Sequence, residues 1–104
     1  MNINDIRQLC ASNSIQWTDH IVKRLVQRGI TRQEVKSVLS NGEIIEEYLD
    51  DCPYPSCLVS GTTDEYRHLH VVCGIGGGKL WIISAYYPNL VKWEEGFKKR
   101  KKEV

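Results

Sequence analysis

Two spacings of apolar residues divide the chain, and the change falls at Gly42. Before it, apolar side chains recur every three or four residues, the helical period. Ile6, Leu9 and Cys10 predict a short first helix over residues 4–13. Thr18 is an N-cap type and Gly29 suits a left-handed C-terminal stop, so a second helix runs between them. On it Ile21, Val22, Leu25 and Val26 fall on one side, and His20, Lys23, Arg24, Gln27 and Arg28 on the other. Thr31 with Glu34 three residues later forms a capping-box pattern ahead of Val35, Val38 and Leu39, and Gly42 stops that third helix.

Beyond Gly42 the period becomes two. Residues 43–49 suit a strand, and their acids place it at a sheet edge. Asp50 to Pro55 is a loop, because two prolines remove donors and fix φ. Residues 57–62, 66–75 and 80–87 read as three further strands, the last two joined by a hairpin turn over Gly76-Gly77-Gly78-Lys79. Leu69, Val71 and Cys73 share the apolar face that meets the helices, which leaves His68 and His70 on the other. Leu90, Trp93 and Phe97 lie at helical spacing and predict a last helix running into a basic tail over 98–104. The expectation is one α+β domain over 1–104: N-terminal helices packed on a four-stranded antiparallel sheet, with a C-terminal helix.

Composition narrows the class. With 41% hydrophobic and 26% charged residues in 104, the chain is globular rather than disordered. It has no apolar run of the roughly 20 residues needed to span a bilayer, and its N-terminus lacks a signal-peptide layout, so a cytoplasmic protein is expected. A net charge of +1 argues against gripping long nucleic acid by bulk electrostatics. The charge is uneven, however: Lys98 to Lys102 are five consecutive cations, and Glu43 to Asp51 carry five acids. Cys10, Cys52, Cys57 and Cys73 are too irregularly spaced for a zinc pattern, so free thiols and no metal are expected. The glycine run before Lys79 fails as a phosphate loop, since Cys73 stands where its first glycine belongs and Leu80 opens a strand.

His20, Arg24 and Arg28 form one stripe on the second helix, spaced i, i+4, i+8. With His70 on the third strand and Tyr86 near the end of the fourth, they make up the groups a cofactor-free phosphodiester cleavage needs. A base takes the 2′ proton, cations carry charge on the phosphate, and an acid protonates the leaving oxygen. Each residue also has a plainer reading: a solvated helix face for the stripe, a solvent-facing strand for His70, a structural hydroxyl for Tyr86. His68 and His70 could together hold a metal, but no third ligand is evident from spacing.

Several blocks carry a family resemblance: His20-x-x-x-Arg24-x-x-x-Arg28-Gly29-Ile30, Gly42-Glu43-Ile44-Ile45-Glu46-x-Tyr48, Pro53-Tyr54-Pro55-Ser56-Cys57-Leu58-x-x-Gly61, Leu69-His70-Val71-Val72, Ile82-Ile83-Ser84-Ala85-Tyr86-x-Pro88, and Trp93 with Arg100. In order, over residues 15–101, they resemble the domain of unknown function family 4258. The resemblance implies a distant member of the barnase/EndoU/colicin/RelE-like superfamily, encoded beside a YgiT-type zinc-finger antitoxin in a bacterium or archaeon. It implies a toxin of a toxin–antitoxin pair acting as an endoribonuclease, with His20, Arg24, Arg28, His70, Tyr86 and Arg100 at the motif positions. On that reading His20, Arg24, His70 and Tyr86 are catalytic, with Arg24 and Arg28 clamping phosphate. Arg28, Lys98, Arg100 and Lys101 hold RNA, and no cofactor is needed. The competing reading is a non-catalytic module that docks a protein partner or blocks a cellular target.

Overall fold

The computed structural model describes residues 1–102; the last two positions of the predicted 98–104 tail lie outside the described residues. Among those residues the elements run α1 (Ile3–Ala11), β1 (Ile15–Gln16), α2 (Asp19–Arg28), α3 (Arg32–Asn41), β2 (Glu43–Tyr48), β3 (Ser56–Thr62), β4 (His68–Gly76) and β5 (Lys79–Tyr86). The expected α+β class holds. The four antiparallel strands are joined by a fifth, giving a mixed sheet of order β1-β5-β4-β3-β2. Strand β1 lies parallel to β5, pairing Ile15 with Leu80 and Gln16 with Trp81.

The helix boundaries follow their caps. Thr18 accepts from the Ile21 amide, and Gly29 closes α2 at φ +66°. Thr31 and Glu34 form the reciprocal capping box at the start of α3. Gly42 ends α3 for a different reason. Its backbone is extended, but a Cβ there would stand 2.6 Å from the Val38 carbonyl oxygen and 2.7 Å from that of Ser60. The β4–β5 hairpin turns on Gly77 and Gly78, both at positive φ.

All three helices pack on one face of the sheet. Ile6, Ile21, Leu25, Val35, Val38 and Leu39 bury there against Val59, Leu69, Val71, Cys73, Leu80 and Ile82. Val26, expected on the buried side of α2, is 77% exposed: Ile21 and Leu25 are buried and Val22 packs partly against the core, which leaves Val26 beyond the edge of the buried stripe. All four cysteines are free; Cys57 and Cys73 face each other across β3 and β4 with sulfurs 4.0 Å apart. No helix among the described residues is long and apolar enough to cross a membrane.

The expected C-terminal helix is absent. Residues 89–102 form an irregular strap over the sheet's other face, closed on itself by amide bonds from Glu94 to the Lys99 carbonyl and from Lys101 to that of Lys92. Gly96 and Phe97 both take left-handed backbone, which reverses the strap. The helical spacing of Leu90, Trp93 and Phe97 serves a different end: Trp93 is buried on the sheet, Phe97 is half-buried and Leu90 is exposed.

Candidate active site

The outer face of the sheet, opposite the helices, carries His70. Its neighbours in register are Ser60 on β3 and Tyr86 on β5. Strand alternation sends these three side chains to the same face. The strap then covers them: Trp93 packs edge-on to the imidazole with ring centroids 4.5 Å apart. His70 is left with no exposed surface.

Both ring nitrogens are engaged. Nε2 lies 2.7 Å from the carbonyl oxygen of Phe97, and Nδ1 lies 3.2 Å from the Tyr86 hydroxyl. A carbonyl can only accept, so Nε2 carries a hydrogen. Burial lowers the His70 pKa, outweighing the bond to Phe97, and favours the neutral ring. In that tautomer Nδ1 is an acceptor and the Tyr86 hydroxyl donates to it. Burial likewise raises the Tyr86 pKa, so the phenol keeps its proton.

Tyr86 is only half-buried and lines a cleft of about 350 Å³ with Arg28, Tyr87, Pro88, Asn89, Lys92, Trp93 and Arg100. Arg28 reaches in from the last turn of α2 and donates to the Ala85 carbonyl at 2.8 Å and the Ser84 hydroxyl at 3.4 Å. Lys92 is set by Asn89, whose side-chain oxygen accepts from the amides of Val91 and Lys92. Arg100 donates twice to Glu46, at 2.8 and 3.1 Å, and lies over the Trp93 ring at 4.6 Å. The Arg100 guanidinium beside Glu46 holds that carboxyl below its usual range and is itself largely neutralised by it. Arg28 and Lys92 are thus the cleft's two cations with no carboxylate partner among the described residues.

The structure brings together Arg28, His70, Tyr86 and Arg100. It leaves His20 and Arg24 outside: both are exposed, neither lines the cleft, and His20 sits two turns and about 12 Å along α2 from Arg28. Lys98 pairs with Glu43 at 2.7 Å and lines a second cleft, with His68 and Ser60, across the strap. Lys101 is not in the Tyr86 cleft but lines a neighbouring hollow with Lys92, Arg100 and Lys102. Among the described residues no three His, Cys, Asp or Glu side chains gather as metal ligands would. Lys92, Tyr87 and Asn89 escaped sequence reasoning. An Asn directly after a Pro, ahead of two apolar residues and a lysine, is a turn signal that the helical spacing of Leu90, Trp93 and Phe97 masks.

Fold and cleft together define an α+β protein that presents, at one end of its sheet, a tyrosine ringed by cations and backed by a buried histidine. The chain belongs to the family described as Domain of unknown function (DUF4258), whose model matches residues 17–87. The match takes in Arg28, His70 and Tyr86 and ends before the strap that supplies Lys92 and Arg100. No curated protein and no solved structure matches the chain.

Proposed function

We propose that the protein is an endoribonuclease that cuts RNA without a metal ion, acting in the cytoplasm as the toxin of a toxin–antitoxin pair. The observation that carries this reading is the Tyr86 hydroxyl, bonded to a neutral histidine and open to a cleft with two uncompensated cations. The 2′-hydroxyl of the substrate gives its proton to Tyr86 as the phenolic proton passes to Nδ1 of His70. The 2′ oxygen attacks phosphorus and the bond to the 5′ oxygen breaks. Arg28 and Lys92 carry the charge that builds on the phosphate, and the Lys92 ammonium protonates the leaving oxygen. The products are a 2′,3′-cyclic phosphate and a 5′-hydroxyl end. Arg100 orients rather than charges the cleft, since Glu46 holds it.

The test is incubation of purified, folded protein with RNA in a chelator, followed by analysis of the new ends. Cyclic-phosphate ends are expected, and Tyr86→Phe, which keeps the ring, reduces the rate about a hundredfold or more. Uncut RNA from a folded preparation free of any partner overturns the reading.

One observation favours a second reading, a non-catalytic module that docks a partner. His70 is enclosed and both its nitrogens are bonded within the chain, as they would be in a purely structural role. On that reading growth arrest on expression survives Tyr86→Phe, whereas the enzyme reading requires its loss.

A further inference from the structure

The outer face of the sheet does not end at the cleft. Between Ser84 and Ile82 the register of β5 on β4 shifts, and Ile83 is the extra residue. Ile83 and Ser84 thereby lie adjacent between buried Ile82 and Ala85. Ser84 touches Arg28 of the cleft. Ile83 lines a second hollow of about 390 Å³, walled by Tyr54 and Trp81, floored by Gly74 and rimmed by Asp51 and Cys52. The two hollows therefore lie along one strand, with Ile83 and Ser84 between them. Trp81 pairs with Gly74 and Tyr86 with His70, four residues apart on β4, or about 13 Å.

Its walls suit a flat, apolar ligand. The Tyr54 and Trp81 rings stand 6.0 Å apart at 34°, and the indole N–H is fixed on the Gly76 carbonyl at 2.9 Å. The indole's one polar group is thus satisfied within the chain. Asp51 is the one charged residue of the lining, anchored by the Ser56 hydroxyl at 2.6 Å. A carboxylate repels phosphate but accepts from the exocyclic amine of adenine, cytosine or guanine. Aromatic walls with an acceptor at the rim, on the same strand as a cationic cleft about 13 Å away, supply the two halves of a single-strand binding surface.

We propose that this groove is a base-stacking subsite for unpaired RNA, which takes an amine-bearing base while a neighbouring phosphate lies in the Arg28–Tyr86 cleft. The inference rests on the ribonuclease reading for its substrate, but binding can be tested apart from cleavage. The probe is a labelled single-stranded RNA of about ten nucleotides, with 2′-O-methyl riboses so that it cannot be cut. A set carrying one abasic position at each place along the strand is measured by fluorescence anisotropy against the wild-type protein.

Loss of one particular base is expected to weaken binding roughly tenfold. Ile83→Glu, on an exposed wall position, and Trp81→Leu are expected to weaken the intact strand similarly and to abolish the abasic effect. Replacing that base by uracil costs part of the same factor, and Asp51→Asn removes this preference. If the strand binds through Arg28 and Lys92 but is indifferent to abasic positions and to Ile83→Glu, the subsite is overturned and the cleft reading stands. The groove then belongs to a protein partner. If the strand does not bind at all, the ribonuclease reading falls and the subsite with it.

Discussion

His70 donates from Nε2 to the carbonyl oxygen of Phe97 over 2.7 Å, so the C-terminal strap is fastened to the sheet by a buried imidazole. Burial holds the folded-state pKa of that ring below its ordinary 6.5. Below that pH the unfolded chain binds a proton that the folded chain refuses. Stability is therefore complete above 6.5 and declines as pH falls from there toward the folded value, by at most about 1.4 kcal/mol per pH unit. Glu46, held low first by its bond to Arg100, adds its own loss only below 4.5. Urea denaturation at about pH 7.5 and about pH 5.5 checks this, with His70→Gln as the control that flattens the difference. Equal slopes in the two proteins would assign the dependence elsewhere.

The two ion pairs of the strap look alike and should behave differently. Lys98 meets Glu43 at 2.7 Å with both side chains more than half exposed. An exposed pair of this kind contributes little, so Lys98→Ala changes stability by less than about 0.5 kcal/mol. Arg100 grips Glu46 by two nitrogens, covers Trp93, and shares that carboxylate with the Tyr48 hydroxyl at 2.6 Å. Arg100→Ala therefore costs about 1 kcal/mol, and Arg100→Lys recovers little of it because an ammonium cannot make the forked contact. Thermal unfolding of the three variants separates the cases.

Sequence spacing finds an element where one physical cause dominates it. Helices α2 and α3 carry both caps and an apolar stripe, and the β4–β5 hairpin needs its paired glycines, so all three were legible. Strand β1 was not: two residues have no period, and their place is set by Ser14 accepting from the Leu80 amide far along the chain. The strap failed for the opposite reason. Leu90, Trp93 and Phe97 satisfy the helical spacing, but their partner is a flat sheet face with a polar imidazole needing an acceptor, and tertiary packing overrides the local preference. The candidate site divides along the same line. His70 was legible as an outward strand position, and Tyr86 only as a residue near its strand's end, because the bulge at Ile83 breaks the alternation that would assign its face. Lys92 lies in the strap, whose helical spacing hides its turn, and His20 shares a helix face with Arg28 without sharing its surroundings.

Gly29 and Gly42 both close helices, and alanine at each should cost stability through different physics. Gly29 stands at φ +66° with nothing near its missing Cβ, so Gly29→Ala costs about 1 kcal/mol of left-handed strain alone. At Gly42 the backbone is ordinary but the space is filled by two carbonyl oxygens and a Val59 methyl at 2.8 Å. Gly42→Ala forces α3 away from β3, at a cost of about 2–3 kcal/mol. Asparagine, which tolerates left-handed backbone, rescues part of the loss at position 29 and none at position 42. Chemical denaturation of four variants decides it.

Arg28 and His20 share the polar stripe of α2, yet only Arg28 reaches the Tyr86 cleft, through its bond to the Ala85 carbonyl. The proposed activity should discriminate them sharply. His20→Ala leaves RNA cleavage within about twofold, since an exposed side chain two turns away touches neither proton nor phosphate. Arg28→Ala lowers both binding and rate, each by about tenfold, and makes binding less salt-dependent by about one phosphate contact. Arg28→Lys keeps the charge but loses the planar guanidinium whose one nitrogen is held by Ser84 and Ala85 while the rest faces the cleft, so it restores the salt dependence and not the rate. Rate and binding measured over a salt series give each effect separately. Should His20→Ala abolish cleavage while Arg28→Ala spares it, the catalytic surface lies along the start of α2 and not in the Tyr86 cleft.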